Sequence, residues 1–422
     1  MRACRAGKQA EYKIGDALYR FIDPAGERGD TCAEGDAGAE TAGRSMGGGY
    51  FAAANSMHGF VSYFDELIER RCDRRMILKG GPGTGKSHFI RRAAEKAVER
   101  GGVVECYYCS SDPGSLDGMV ALMPSGEVFG IQDGTAPHAA EATLPGARDE
   151  IFDLGRFWRA DDLRGERTEI EELGAAKSRA WERVFLSLAA AGRVREAQRL
   201  RLFESVDREK IGNAAARAAG DAERAALEFD AGSAWLMRSA FSDGKTAGVL
   251  HSPHRACTMR GCVALPGIYE GAREVFFTSD EPLPGMGELF ITAMARRLES
   301  SARAGREIEC RISPDPISPE VAVAVRCGSR VYTCDRSLPP HLAGNVARHR
   351  IGLRRFLKRE GAGERYEICR LDELWRRAAA EAVHASGEAA GCHFALESLY
   401  TAAMDFSALD AAGSERTDEF FR

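Results

Sequence analysis

The stretch that decides the fold spans residues 80–87 and reads Gly80-Gly81-Pro82-Gly83-Thr84-Gly85-Lys86-Ser87. It has the spacing G-x-x-x-x-G-K-[ST], in which glycines let successive backbone N–H groups turn towards a phosphate. A short apolar run at 76–78 precedes it, and residues 88–100 follow with apolar side chains at helical spacing. Strand, glycine-rich loop and helix form the context that this motif requires. The sequence therefore predicts a phosphate-binding loop (P-loop) inside an α/β fold.

The chemistry of that loop predicts ATP and Mg²⁺ as ligands. Residues 80–87 and His88 would surround the phosphates, because a helix N-terminus adds partial positive charge to the backbone donors. Lys86 would reach the β- and γ-phosphates, and the Ser87 hydroxyl would ligate Mg²⁺. Residues 119–133 are predicted to form two short strands, and Asp133, which ends the second, is the other predicted metal ligand. The alternative for Asp133 is a plain turn, since Asp-Gly is a common turn pair.

Two more carboxylates follow the predicted strand at 103–109. Asp112 and Asp117 would lie where an open α/β sheet places its active crevice, beside the carboxyl ends of its strands. Either would serve as a general base or orient a nucleophile, so both are candidate catalytic residues together with Lys86. Asp112-Pro113 recurs in the chain as Asp315-Pro316. A structural turn would explain that recurrence equally well.

The composition bounds the class of protein. A chain of 422 residues is long enough for two or three domains, and its net charge of −5 gives no overall attraction to nucleic acid. The sequence has no apolar run of membrane-spanning length and no apolar signal segment at its start. No membrane insertion and a cytoplasmic location are therefore expected. The twelve cysteines are expected to be free thiols, because nucleotide-dependent enzymes work in reducing compartments.

The chain divides by composition into a leader and two units. Residues 1–49 are predicted to be a flexible leader, because 24–49 are rich in Gly, Ala and acidic residues. Residues 50–240 are predicted to form a P-loop domain with a parallel-sheet core. Ala, Arg, Glu and Leu at helical spacing over about 151–228 predict a helical insertion within it. Residues 241–422 are predicted to form a second, degenerate P-loop-like domain.

An internal repeat supports the tandem arrangement. Residues 275–289 repeat the pattern of residues 76–87, and further matches follow in the same order with small gaps. In this alignment Glu288 stands in the place of Lys86. A carboxylate there would repel a triphosphate, so the second unit is not expected to bind ATP in the usual way.

Five segments of the first unit carry a resemblance to known proteins: 51–55, 59–61, 77–87, 109–118 and 133–138. On these segments the chain resembles an uncharacterised family of bacterial proteins described as ATPases, which have tandem P-loop domains. The resemblance extends to about residue 190 and continues weakly through the second copy. It implies ATP binding and a doubled fold, and it supplies no substrate. Members of that family usually carry a P-loop in both halves, so Glu288 is a departure.

A cluster of metal-binding residue types lies near the beginning of the second unit. His251, His254, Cys257 and Cys262 form the pattern H-x-x-H-x-x-C-x-x-x-x-C. Four such ligands would build a tetrahedral zinc site. The spacing is not one of the established zinc patterns.

Three functions remain open at this point. As an ATPase, the protein would hydrolyse ATP at one site in the N-terminal unit, with the C-terminal copy inactive or regulatory. As a small-molecule or nucleotide kinase, it would use the helical insertion as a lid that brings Arg148, Arg156 and Arg159 near the phosphates. As a nucleotide-gated scaffold or sensor, it would bind ATP with negligible turnover. The sequence names no phosphoryl acceptor and no protein partner.

Overall fold

The computed structural model describes residues 19–22, 46–227, 248–306, 308–358 and 362–422. The strands are β1 Arg20–Phe21, β2 Met46–Phe51, β3 Ala53–Ser56, β4 Gly59–Ser62, β5 Arg74–Lys79, β6 Val103–Tyr108, β7 Leu116–Leu122, β8 Val128–Asp133, β9 Asp149–Asp153, β10 Val249–His251, β11 Arg255–Thr258, β12 Gly261–Ala264, β13 Glu274–Ser279, β14 Cys310–Pro314, β15 Ala322–Cys327, β16 Arg330–Thr333 and β17 Ala347–Gly352. The helices are α1 Phe64–Leu67, α2 Lys86–Glu99, α3 Ala160–Gly165, α4 Arg167–Ser205, α5 Arg208–Leu227, α6 Met286–Arg303, α7 Ala362–Ala402 and α8 Phe406–Phe420. Single 3₁₀ turns cover Glu69–Arg71, Leu154–Phe157, Gly267–Tyr269, Pro340–Leu342 and Arg354–Phe356.

Two six-stranded sheets of the same topology organise these elements. The strand order is β2-β6-β7-β8-β5-β9 in the first sheet and β10-β14-β15-β16-β13-β17 in the second. If the six strands of each sheet are numbered in chain order, both sheets have the spatial order 1-3-4-5-2-6. A small hairpin also follows the first strand of each sheet, as β3–β4 and as β11–β12.

The sheets are mixed, which corrects the prediction of parallel-sheet cores while confirming an α/β protein. In the first sheet β7 runs antiparallel to both neighbours, and the other pairings are parallel. In the second sheet β15 does the same. The physical reason is connection length, since a parallel pair needs a long crossover whereas short turns join β6 to β7 and β7 to β8.

Long helices follow each sheet, which changes the interpretation of the helical stretch at 151–228. Strand β9 occupies residues 149–153, and helices then run from Ala160 to Leu227. A long helix and a shorter one follow β17 in the same order, as α7 and α8. The helices therefore belong to the repeated unit and are not an insertion in the first half alone. No helix in the described part of the chain has both the length and the apolar character needed to cross a membrane.

Each half contributes its last helix to the core of the other half. On α5, Ile211 and Ala215 are buried in one cluster with Phe290 of α6, below the second sheet. On α8, the ring of Phe420 lies 5.3 Å from that of Phe129 in the first sheet. The long helices α4 and α7 run antiparallel to each other, as the Arg183–Glu388 and Arg195–Asp372 ion pairs show. The burial of these apolar faces of α5 and α8 stabilises the contact between the two halves. The boundary predicted at residue 240 lies outside the described residues.

Two parts of the predicted leader are described, and both are β-structure. Strand β1 pairs in parallel with β12, and β2 is the edge strand of the first sheet beside β6. The rest of the leader lies outside the described residues. The expectation of free thiols is wrong for one pair, because Cys310 and Cys327 form a disulfide across β14 and β15.

Candidate functional site

The glycine-rich loop joins β5 to α2 at the carboxyl edge of the first sheet. Strand β5 is covered on both faces and ends at Lys79, and α2 begins at Lys86. Gly83 and Gly85 have φ angles of 69° and 80°, in the left-handed region that only glycine adopts at low cost. The glycines in the motif therefore turn the chain sharply from the strand into the helix. The N-terminus of α2 then points its first backbone N–H groups into the loop.

Lys86 lies over its own loop and next to a carboxylate. Its Nζ donates hydrogen bonds to the carbonyl oxygens of Gly80, at 3.0 Å, and Gly81, at 2.8 Å. It also lies 3.7 Å from Oδ2 of Asp133, and both side chains are largely buried. Asp133 is the partner of Leu78 in the parallel β5–β8 pairing. The carboxylate of Asp133 therefore lies at the edge of the sheet where β5 continues into the loop that leads to Lys86. The structure thus brings together the predicted lysine and the predicted acidic partner.

The predicted metal ligands offer one hydroxyl and one carboxylate. The Ser87 Oγ accepts a hydrogen bond from the Leu116 backbone N–H at 2.8 Å. The Oδ1 of Asp133 accepts from the backbone N–H of Thr135 at 2.8 Å, and its Oδ2 is left to face Lys86. No group of three or more His, Cys, Asp or Glu side chains in the described part of the chain is arranged to hold a metal ion. This donor set fits Mg²⁺ that takes most of its oxygens from phosphates and water, and it does not fit a metal held by protein ligands alone.

Asp117 is a buried carboxylate that points towards a histidine. The Nε2 of His138 lies 3.4 Å from Oδ2 of Asp117. Burial raises the pKa of Asp117 to about 6, with His138 opposing that rise and Asp133 adding to it. No hydrogen bond reaches Asp117 Oδ2 or His138 Nδ1, although both atoms are buried. A buried carboxylate with a pKa near neutrality is suited to accept a proton.

Asp112 has the contacts of a structural turn, which was the alternative to a catalytic role for this residue. Its Oδ1 accepts from the Gly114 backbone N–H at 3.1 Å and lies 3.2 Å from the Arg260 guanidinium of the second half. The Ser115 backbone N–H donates to the Asp112 carbonyl at 3.0 Å. These contacts hold the β6–β7 connection and link it to the β11–β12 hairpin.

The end of α7 lies directly on the loop, which sequence patterns did not indicate. A Cβ built on Gly83 would lie 2.5 Å from Thr401 Oγ1 and 2.6 Å from the Glu397 carbonyl oxygen. The Trp158 ring covers Gly81, to which a Cβ would approach within 3.2 Å. Glycine at these two positions therefore also permits the close approach of other parts of the chain.

A lysine and a histidine from the long helices stand near Glu397. Lys177 of α4 lies with its Nζ 3.1 Å from Nδ1 of His393 on α7. Burial lowers the pKa of Lys177, and the nearby charge of Lys86 lowers it further. Burial and the Lys177 charge together lower the pKa of His393 to about 4. A cluster of two lysines and a neutral imidazole thus adjoins the loop.

The arginines expected near the phosphates in a kinase have other contacts. Arg148 pairs with Glu69 and Asp149. Arg159 pairs with Asp162 and donates to backbone carbonyls at the end of α7. Arg156 lies over the Phe157 ring.

The second loop copies the backbone of the first and replaces its chemistry. It joins β13 to α6, and Gly285 has a φ of 93° directly before the helix. Met286 therefore stands where Lys86 stands in the first loop, and Glu288 lies two residues further along. This corrects the alignment that placed Glu288 opposite the lysine. The Glu281 carboxylate accepts a hydrogen bond at 2.9 Å from the Gly287 backbone N–H, so a side chain of the protein fills the anion position at this helix N-terminus.

Arg195 of α4 adds a cation to the second loop. Its guanidinium pairs with Glu288, and it lies 2.8 Å from Asp372 of α7. It also stacks over Trp375, with 4.2 Å from the guanidinium carbon to the ring centre. These residues line a cavity of about 100 Å³ next to Asp315 and Asp335.

The predicted zinc site is wrong, because its four side chains have separate partners. His251 lies between Glu66 and Glu299. His254 lies with its Nε2 2.9 Å from Asp335 and its Nδ1 2.6 Å from the Ser313 hydroxyl. The sulfurs of Cys257 and Cys262 are 3.4 Å apart across the β11–β12 hairpin. Only the two cysteines meet.

Compared with protein-family models, curated proteins and solved structures, the chain has no significant match. The argument for function therefore rests on the chemistry of the loop and its surroundings.

Proposed function

We propose that the first half of the protein binds ATP with Mg²⁺ at residues 80–87 and hydrolyses it. The observation that carries this proposal is the position of Lys86, which follows the loop after β5 and lies 3.7 Å from Asp133 at the end of the adjacent parallel strand β8. A lysine on a glycine-rich loop and an acidic residue at the next strand end are the two charged elements of P-loop nucleotide sites. The sequence resemblance to bacterial tandem P-loop ATPases supports the same assignment, as does a doubled P-loop-like fold. A cytoplasmic location, where ATP is abundant, belongs to this proposal.

Each site residue has a role in this reaction. The loop N–H groups and Lys86 neutralise phosphate charge, and Ser87 with Asp133 holds Mg²⁺, which would neutralise further charge when bound. For the loop to receive a phosphate, Lys86 must exchange its bonds to the Gly80 and Gly81 carbonyls for bonds to the nucleotide. Asp117, whose pKa is about 6, then accepts a proton from the attacking water. The second half contributes no equivalent site, because Met286 replaces the lysine and Glu281 already occupies the helix N-terminus.

Phosphate release from Mg-ATP tests the proposal, with binding measured in parallel. Wild type is compared with Lys86→Ala and with Lys210→Ala, a change at an exposed lysine of α5 that controls for the loss of a positive charge. We expect Lys86→Ala to abolish both binding and turnover, and Lys210→Ala to leave both unchanged. Failure of the wild type to bind ATP would refute the proposal.

A nucleotide-gated scaffold is the second candidate, and one observation favours it. The end of α7 lies on Gly83 of the loop, so nucleotide entry must be coupled to the position of a helix from the other half. ATP binding without phosphate release would select this function over the ATPase. The kinase alternative requires turnover that depends on an added acceptor, and Arg148 and Arg159 are engaged elsewhere.

A further inference from the structure

The two long helices place corresponding residues over the two loops. Lys177 in α4 and Asp372 in α7 lie equally far from the beginnings of their helices, and so do Gln198 and His393. Because the helices cross in the same way over each loop, Lys177 meets His393 at the first loop and Asp372 meets Gln198 at the second. The two helix crossings therefore have the same geometry, but different side chains meet at each: lysine and histidine at the first loop, aspartate and glutamine at the second.

The charges are balanced at the second loop and unbalanced at the first. Asp372 has a cation beside it, since Arg195 lies at 2.8 Å. The polar contact of Lys177 is with Nδ1 of a neutral imidazole, His393. Burial lowers the pKa of Lys177, and the Glu397 carboxylate opposes that change from beyond ion-pair distance. Within the described chain, no carboxylate lies within ion-pair distance of Lys177, although the side chain is partly buried. A partly buried ammonium without an anionic partner is costly unless an anion is supplied.

The location of Lys177 indicates which anion would balance its charge. His393 lies one helical turn before Glu397, whose carbonyl oxygen touches Gly83 of the loop. The Lys86 charge is near enough to lower the pKa values of both Lys177 and His393. Lys177 thus approaches the loop from the pair of helices α4 and α7, whereas Lys86 begins α2 and Asp133 ends β8. A phosphate between the two lysines would neutralise both.

We propose that Lys177 contacts the terminal phosphate of a nucleoside triphosphate bound at residues 80–87, with His393 as a positioning residue. The inference rests on the proposed nucleotide binding and deepens it. It makes the α4–α7 pair the element that distinguishes a triphosphate from a diphosphate. The same pair also reaches the second loop, where Arg195 of α4 pairs with Glu288.

Calorimetric titration with Mg-ADP and with the non-hydrolysable analogue Mg-AMPPNP tests the inference. The comparison includes wild type, Lys177→Gln, Lys177→Arg and the surface control Lys210→Gln, each checked for its melting temperature. We expect Lys177→Gln to lose about 10- to 100-fold in affinity for the triphosphate analogue, the range for one charge-assisted contact. Its affinity for ADP stays within about twofold, and Lys177→Arg recovers most of the loss. His393→Ala reduces the triphosphate preference by a smaller factor.

The ratio of triphosphate to diphosphate affinity separates the outcomes. A purely structural role for Lys177 would change both affinities together and leave the ratio unchanged, which would overturn the inference. If wild type binds both nucleotides and Lys177→Gln keeps the wild-type ratio, the inference fails while the proposed function stands. If wild type binds neither nucleotide, the proposed function and the inference fail together.

Discussion

A buried charge cluster joins the two sheets, and its removal gives the sharpest test of the fold. Glu105 on β6 lies between two arginines, with Oε1 at 2.9 Å from Arg71 and Oε2 at 2.7 Å from Arg311 of β14. All three side chains are at most 3% exposed. Tyr107 also donates a hydrogen bond to Glu105. Changing Glu105 to Gln keeps the shape of the side chain and leaves two buried guanidinium groups opposite a neutral amide.

The expected cost follows from that geometry. Removing one partner of a buried, hydrogen-bonded ion pair costs about 3–5 kcal/mol in unfolding free energy, because the remaining charge stays desolvated. With a urea dependence of about 3 kcal/mol per molar, the unfolding midpoint moves down by about 1–1.7 M. The double variant Glu105→Gln with Arg311→Met removes one of the two cations. It is expected to lose clearly less than the sum of the single changes.

The pH dependence gives a second readout of the same cluster. The two arginines lower the pKa of Glu105 against the effect of burial, so its folded pKa lies below its unfolded value of about 4.5. Its stabilisation is therefore present above that unfolded value and is lost as the pH falls through the folded pKa. The difference between wild type and Glu105→Gln is expected to be constant near pH 7 and to shrink below about pH 4.

Urea unfolding followed by tryptophan fluorescence measures these changes. Glu388→Gln is the matched control, because it breaks the exposed pair with Arg183 on the long helices. Such exposed pairs contribute about 0–1 kcal/mol. A midpoint for Glu105→Gln no lower than that of the control would show that the cluster does not hold the sheets together, and the reasoning would be refuted.

Two further predictions concern Asp117 and the rejected zinc site. The folded pKa of Asp117 is raised to about 6, so its contribution to stability falls as the pH rises from about 4 to 6. Asp117→Asn should therefore be more stable than wild type at pH 8, by about 1–3 kcal/mol, and equal to it near pH 4; melting temperatures across this pH range check the sign. Because the four predicted zinc ligands have separate partners, a zinc chelator such as 1,10-phenanthroline should leave the melting temperature unchanged. A fall in melting temperature that added zinc reverses would contradict that assignment.

The local features of the first half could be predicted because the residues that form them are contiguous in the chain. A buried β-prone run, the loop of glycines and an amphipathic helix are neighbours in the chain, and the structure has β5, the loop and α2 in that order. The antiparallel direction of β7 could also be predicted from the sequence, since a short turn at 124–126 joins β7 to β8. The prediction of parallel-sheet cores instead followed the P-loop motif, which is typical of parallel sheets.

The alignment of the second loop failed for a physical reason. The sequence alignment matched Pro82-Gly83-Thr84-Gly85 to Pro284-Gly285-Met286-Gly287, because both segments read Pro-Gly-x-Gly. In the structure six residues separate β5 from α2, and six also separate β13 from α6, so equal loop length places Met286 opposite Lys86. The left-handed glycine before each helix, Gly85 and Gly285, gives the correct register.

The helix contacts at the loop could not be predicted from one sequence. Lys177 and His393 are separated by 216 residues, and neither belongs to a motif. Their meeting depends on how α4 crosses α7, and on each half completing the core of the other. Such contacts are set by long-range packing, whereas the sequence patterns used for prediction have the period of a single helix or strand.

The second loop keeps the backbone turn of the first, and its charges are neutralised by side chains of the protein. A helix N-terminus left without an anion exposes unsatisfied N–H groups, and here the Glu281 carboxylate accepts one of them. Arg195 then balances Glu288 and Asp372, so the site carries its own cation and anions. In the described part of the chain, no carboxylate accepts a hydrogen bond from a backbone N–H at the beginning of α2, although Asp133 lies 3.7 Å from Lys86. Lys86 instead bonds to loop carbonyls, and Lys177 faces a neutral histidine. The two halves thus have the same framework, but only the first leaves its positive charges available to a phosphate.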